Sequence, residues 1–261
     1  MKKSGEGVRK VLFAACWLVV WQLASILLRG KIGLPGPVET VRSMIALAGG
    51  AGFAGNVMRS FGRIVSGFVL GSAVGLALAL AARRITLIGD ILSPLMKVLG
   101  TLPAATLVTV LLACGGSGSY AFLICFLTAL AALYTAVGDG LSAVDPKLSE
   151  MADVFRIPQA SRIRYVTMPG VFPVLAQAAG SAMGLCWKCG VAAEVIAAAV
   201  GSVGAGLAEG AAKHAPEEVL AYTVAVTVLS LISEKLIVLI LKVVGRANKW
   251  IDVPQETAEE A

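Results

Sequence analysis

Apolar residues run along this chain in six long blocks, roughly residues 11–28, 59–82, 91–114, 119–137, 171–200 and 218–244, separated by shorter stretches that carry much of the charge. A helix of about 20 residues crosses ~30 Å of hydrocarbon, so each block is close to the length of one membrane span. The pattern predicts an all-α polytopic membrane protein with about six transmembrane helices. Pro94, Pro103 and Pro173 lie in or near blocks, where neighbouring helices satisfy the carbonyls that a proline frees. Composition agrees, with 57% hydrophobic and 15% charged residues and a mean hydropathy of +0.85, outside the range of an average soluble domain.

Lys2, Lys3, Arg9 and Lys10 precede the first block as they would precede a secretory leader. The block is longer than a leader's apolar region, and Leu27-Leu28-Arg29 offers no small-residue cleavage site. A retained first helix is the expectation. With the N-terminus in the cytoplasm, the inside segments hold 13 of the 22 basic residues, which satisfies the positive-inside rule. Both termini and the segment 138–170 are then cytoplasmic. The net charge of +6 follows from this topology. The basic residues form no stripe interleaved with aromatics, so nucleic acid is not an expected partner.

One polar interruption has a pattern of its own. Met151, Val154, Phe155 and Pro158 recur at helical spacing, with Glu150, Asp153 and Arg156 on the other side. This predicts a short amphipathic helix ended by Pro158. A second short helix follows over 161–166, with Arg162 and Arg164 outward.

That segment resembles the EAA loop of type I ABC importer permeases. Glu150-Met151-Ala152 stands at the start of the motif, and Val166, Met168 and Pro169 fall in register with its Ile, Leu and Pro positions. Met151 replaces the middle Ala and Arg156 replaces the Gly that turns the family's chain between two helices; Pro158 is expected to supply the break instead. The likeness extends over nearly the whole chain and points to the nitrate/sulfonate/taurine type. It includes Leu34-Pro35-Gly36-Pro37 followed by an amphipathic stretch, the run Ser60 to Gly71, Ser93-Pro94-Leu95 with Leu102-Pro103, Val144-Asp145-Pro146, and Trp187 with Ala193-Glu194.

The resemblance implies a permease subunit, a transport component and not an enzyme, that forms the pathway for a small anionic solute. Permeases for other small solutes, such as thiamine precursors, share the pattern. It implies a second permease copy as a homodimer, a dimer of ATPase subunits below, and an extracytoplasmic solute-binding protein. This chain would bind no cofactor, ATP and magnesium being used by the ATPase. Glu150, Met151, Ala152, Val154, Phe155 and Arg156 would contact that ATPase. The organisation expected is an N-terminal region over 1–58, a five-helix permease core over 59–244 containing the loop 138–170, and a cytoplasmic tail over 245–261.

The remaining residues support that reading. No Gly-x-x-x-x-Gly-Lys-Ser/Thr occurs, so ATP hydrolysis must come from another chain. Gly115-Gly116-Ser117-Gly118 lacks the lysine and reads as a tight turn. Gly67, Gly71 and Gly75 form a small-residue stripe, as do Ala73, Ala77 and Ala81, suited to close helix packing within one subunit in preference to a dimer seam. Lys97, Lys188, Glu194, Glu234 and Lys235 are the charges within blocks; Lys97 and the Glu234-Lys235 pair fit snorkelling or local pairing. Lys188 lies deep in the fifth block, where its charge calls either for a partner carbonyl or carboxylate in the bundle or for an aqueous pathway that attracts anions; with Trp187 and Glu194 it is the candidate for the translocation pathway. Cys186-x-x-Cys189 has metal or redox spacing but no second pair, and the only histidine is His214; buried free thiols and no metal site are expected. A secondary transporter would show repeat-related halves, which the single cytoplasmic loop does not suggest.

Overall fold

The computed structural model describes residues 2–28, 34–50, 52–114, 119–248 and 250, and all regular structure among them is helical. The helices are α1 (Lys2–Leu28), α2 (Pro37–Ala48), α3 (Phe53–Arg84), α4 (Thr86–Thr101), α5 (Ala104–Ala113), α6 (Tyr120–Ser142), α7 (Pro146–Val154), α8 (Gln159–Arg162), α9 (Met168–Ile196), α10 (Val203–Ala212) and α11 (Pro216–Ala247). A π-helical turn, Ile163–Thr167, joins α8 to α9. The glycine turn expected at 115–118 and the tail beyond residue 250 lie outside the described residues.

Four stretches are long and apolar enough to cross a bilayer, namely α3, α6, the run Gln159–Ile196 and α11. The block 91–114, expected as one span, is two helices that only together are long and apolar enough for one. α4 and α5 meet at a bend of 98°, because Pro103 has no N–H to donate and its ring forces Leu102 out of the helical region, to ψ 129. Pro94 sits inside α4 without ending it. α1 carries a shorter apolar stretch, Ala15–Leu27. The fifth block ends early, since α9 stops at Ile196 and Ala198 takes a left-handed φ of 46°.

The chain divides into two compact units, one of residues up to Arg59 with Ala198–Thr227, the other of Ser60–Ala197 with residues from Val228 on. In the first, Trp21 Nε1 donates to Pro35 O at 3.2 Å and Ser25 Oγ to Leu34 O at 2.8 Å, fastening the lead-in of α2 to α1. Arg59 Nε donates to Gly201 O at 2.8 Å, and Phe53 packs on Tyr222 with ring centroids 5.2 Å apart.

The second unit is built on α6 and α9. The glycine stripe sets α3 directly on α6: a Cβ on Gly67 would sit 2.5 Å from Phe122 O and one on Gly75 2.6 Å from Leu130 O, while Gly71 meets Phe126 O. Both sequences advance by four residues per contact, so the two helices run parallel with their backbones in touch. This is the close approach that small residues permit between helices, here within one chain. α9 runs antiparallel to α6. Cys125 Sγ donates to Cys186 O at 3.2 Å near the middle, and Gly140 lies against Val171 at one end. α11 lies along α9, where Gly180 admits Val238 and Gly184 faces the Glu234 carboxylate.

Candidate functional site

The polar segment between α6 and α9 is held out from the bundle by several local devices. Its base is narrow, because Gly140 lets Val171 approach and a Cβ on Gly170 would lie 2.7 Å from Val144 Cγ2. α7 starts where Asp145 accepts from Lys147 N at 2.9 Å, with Pro146 at the first helical position. It ends in a Schellman arrangement. Arg156 N donates to Asp153 O at 3.1 Å and Ile157 N to Ala152 O at 2.9 Å, while Arg156 takes φ 47°.

The break therefore falls at Arg156 and not at Pro158. Arg156 adopts the left-handed backbone that glycine would supply at this position, and Pro158 serves as the residue that opens α8. Across the turn, the Arg162 guanidinium donates to the Asp153 carboxylate and clasps α8 to α7. Arg162 thus faces inward along the element, contrary to the outward placement expected for it, whereas Arg164 is exposed and stands 5.8 Å over the Tyr165 ring. The helix expected over 161–166 is replaced by α8 and the π-turn, which merge into α9.

Of the residues singled out for partner contact, Ala152 is buried and fixes α7 to its own chain. Met151, Val154 and Phe155 are exposed, the last two at 78% and 73%. Glu150 and Arg156 are exposed beside them. Leu148, Ile163 and Tyr165 are exposed as well; Leu148 continues the period of Met151 and Phe155 on α7 and was overlooked, whereas Ile163 and Tyr165 lie beyond the turn, where that period is broken. Large apolar side chains exposed together on α7, on the charged segment between α6 and α9, mark a protein contact. Seating a side chain such as Phe155 in a partner's pocket is worth about 1.5–3 kcal/mol.

The three residues suggested for a pathway separate in space. Trp187 is fully buried, its ring 6.2 Å from that of Phe61, and Glu194 is 1% exposed. Glu194 Oε2 accepts from Ser60 Oγ at 2.7 Å, and Arg63 Nη1 lies 3.5 Å from Glu194 Oε1. Both residues are thus part of the packing between α3 and α9 and do not line an open surface. Lys188 is exposed. With Gln177, Ser181 and Leu185 it forms one exposed stripe along α9, at the i, i+4, i+8, i+11 spacing of a single helix face. Ser181 and Leu185 line a cavity of about 270 Å³ with Thr135 and Asp139 of α6. Exposed polar groups on apolar, span-length helices require water or protein opposite them, since lipid offers them no partner.

Cys125, Cys186 and Cys189 lie near one another as free thiols, and no group of three or more metal-ligating side chains occurs among the described residues.

The family described as "Binding-protein-dependent transport system inner membrane component" matches residues 67–249. A probable ABC transporter permease protein of Brucella melitensis is 25% identical over 199 residues, 76% of this chain and 80% of the relative. A nitrate import permease protein of Synechocystis is 27% identical over 214 residues, 78% of this chain and 76% of the relative. A bicarbonate transport system permease protein of Synechococcus elongatus is 23% identical over 200 residues, 72% and 71% of the two chains. A solved structure described as an amino acid ABC transporter with histidines superposes with a TM-score of 0.57 at 15% identity, over 80% of this chain and 96% of that one, and shares the fold.

Proposed function

Because the chain belongs to the family of binding-protein-dependent transport system inner membrane components and is a permease subunit of an ABC importer, we propose that α7 with its following turn docks an ATPase subunit. The same reading has the α6–α9 groove line the path of a small oxyanion. The observation that carries this is the exposed face of Met151, Val154 and Phe155, projected from the ends of two span-length helices on a short, clasped element. Such an element transmits a push at α7 to α9, since the Arg162–Asp153 pair clasps α7 to α8 and α8 runs into α9 through the π-turn without a break. In this arrangement the loop, the α3–α4 connection and both termini face the cytoplasm, and the chain lies in the inner membrane. A second copy closes the groove, and a solute-binding protein delivers the solute to the opposite face.

The solute reading is supported by Lys188, the cation on the exposed stripe of α9, and by relatives that are nitrate and bicarbonate permeases. A lysine facing a water-filled path lowers the barrier for an anion and raises it for a cation. The test is reconstitution of the chain with its ATPase and binding protein, measuring ATP-driven uptake of nitrate, bicarbonate and simple alkanesulfonates. Uptake of one of them that is lost on Lys188→Met, in a complex that still assembles, supports the reading. Uptake of only cationic or neutral solutes contradicts it.

A further inference from the structure

α2 carries its polarity inside out. Glu39 folds back so that its carboxylate accepts from Gly36 N at 3.2 Å, and the buried Thr40 donates its hydroxyl to Gly36 O at 2.9 Å. Ser43, Met44 and Leu47 are half-buried on the side of Thr40. The opposite side holds Val38, Val41 and Ile45 at i, i+3 and i+7, all exposed. Arg42 is the charged residue on that exposed side. A helix on an aqueous surface arranges these groups the other way, with polar side chains out and apolar ones in.

Contacts with α1 set the level of this helix in the bilayer. The chain entering α2 runs back along α1. Leu34 O accepts from Ser25, Pro35 O accepts from Trp21, and a Cβ on Gly36 would lie 2.7 Å from Gln22 Oε1. The apolar stretch of α1 ends at Leu27, with Arg29 just beyond it. Trp21 lies six residues inside that end, so at 1.5 Å per residue α2 begins about 9 Å within the hydrocarbon edge that α1 marks. Residues 49–52 alone separate Ala48 from the start of α3 at Phe53, which keeps the far end of α2 near the same side. An interfacial helix buries its apolar face to a depth of about 5–10 Å, the depth at which α2 starts.

We propose that α2 is an interfacial helix seated in the leaflet at the C-terminal end of α1, with lipid as the occupant of its exposed face. Val38, Val41 and Ile45 lie against acyl chains, and Arg42 extends its guanidinium to the headgroup phosphates while its stem stays in the apolar layer. The apolar surface continues onto α1, which exposes Leu23, Ile26 and Leu27 over the neighbouring levels. The acid and the hydroxyl nearest the start of α2 are satisfied by its own backbone and ask nothing of the lipid. Tied to α1 at one end and to α3 at the other, α2 anchors the connection between these helices in the membrane surface. The depth rests on α1 being a span; that the leaflet is the outer one rests on the orientation proposed above.

The test is spin-label accessibility on the complex of permease and ATPase in nanodiscs of phosphatidylethanolamine and phosphatidylglycerol. The exposed and half-buried native thiols are removed in Cys16→Ala/Cys114→Ala/Cys189→Ala. Single labels then enter at Val38→Cys, Val41→Cys and Ile45→Cys, with Lys213→Cys, an exposed position after α10, as the aqueous control. Dissolved oxygen should relax the three α2 labels several-fold more than a water-soluble nickel chelate does, with the order reversed at residue 213. A second measurement keeps all native cysteines and replaces Val41 with the photoreactive benzoylphenylalanine; irradiation should yield adducts to phospholipid, read by mass spectrometry. Nickel exceeding oxygen at all three α2 positions would place the face in water and overturn the proposal. Exclusion of both reagents, with photoadducts to a second permease chain, would make the face a subunit interface and overturn it equally. None of these readouts uses transport, so failure here is separate from failure of the solute path or the ATPase docking, which uptake and co-purification judge.

Discussion

Ser60 Oγ donates to Glu194 Oε2 at 2.7 Å, a bond between residues 134 positions apart that ties the start of the second unit's α3 segment to the end of α9. Both side chains are buried, and the neighbouring Arg63 guanidinium is partly exposed. A carboxylate in this setting needs donors, because burial of a charge without them is costly. Ser60→Ala should therefore lower the stability of the purified complex by about 1 kcal/mol, and Glu194→Ala by more, since it also removes Arg63's partner and leaves a cavity. Thermal unfolding of the complex in detergent measures both. A Glu194→Ala complex as stable as wild type would show that the cluster contributes nothing to the bundle.

Phe155 is the most direct probe of docking. Phe155→Asp places a charge on the exposed apolar face of α7, and seating it against a partner would leave that charge buried without a counterpart. The variant should insert and express normally, fail to co-purify with the ATPase, and show no uptake. Normal co-purification would remove Phe155 from the contact.

Arg156 separates backbone geometry from side-chain chemistry. At φ 47° a non-glycine residue is held in a conformation that costs roughly 1–2 kcal/mol. Arg156→Gly should leave uptake intact and raise stability slightly, whereas Arg156→Val, with a β-branched side chain, should distort the turn and lower ATPase coupling. Loss of coupling in Arg156→Gly would instead assign the guanidinium a contact of its own.

Gly71 tests the α3–α6 seam. A Cβ there collides with the Phe126 carbonyl, a backbone atom that moves only with its helix. Gly71→Ala should destabilise by about 1–3 kcal/mol, the usual range for overpacking, and lower the yield of folded protein. Ala73 and Ala77 lie on the exposed side of the same helix. Ala77→Leu, measured in the same expression assay, should be tolerated by the isolated subunit, and an equal loss from both substitutions would contradict the assignment of the seam to the glycines.

Lys188→Met tests the stripe on α9. Lys188 is exposed and forms no ion pair with a described residue, so the substitution should leave assembly and thermal stability unchanged. Anion uptake should fall. A destabilised complex would mean that a partner subunit supplies the lysine with a structural counterion.

Much of this was legible in the residues alone. Block length and apolarity fixed the all-helical, membrane-spanning class, because a bilayer admits few other solutions for a backbone whose polar groups must be satisfied internally. The period of Met151, Val154 and Phe155 marked the amphipathic element, and the four-residue repeat of Gly67, Gly71 and Gly75 marked a close helix contact. Both signals are local, carried by the spacing of side chains on one helix. Tertiary structure decided the rest, since it depends on what lies across from each face. Periodicity assigns Lys188 and Glu194 to different faces of α9, but only the packing of α3 shows that the acid points inward to Ser60 and the lysine outward. Pro103 was visible as a potential break, yet the 98° bend depends on where α4 and α5 find neighbours.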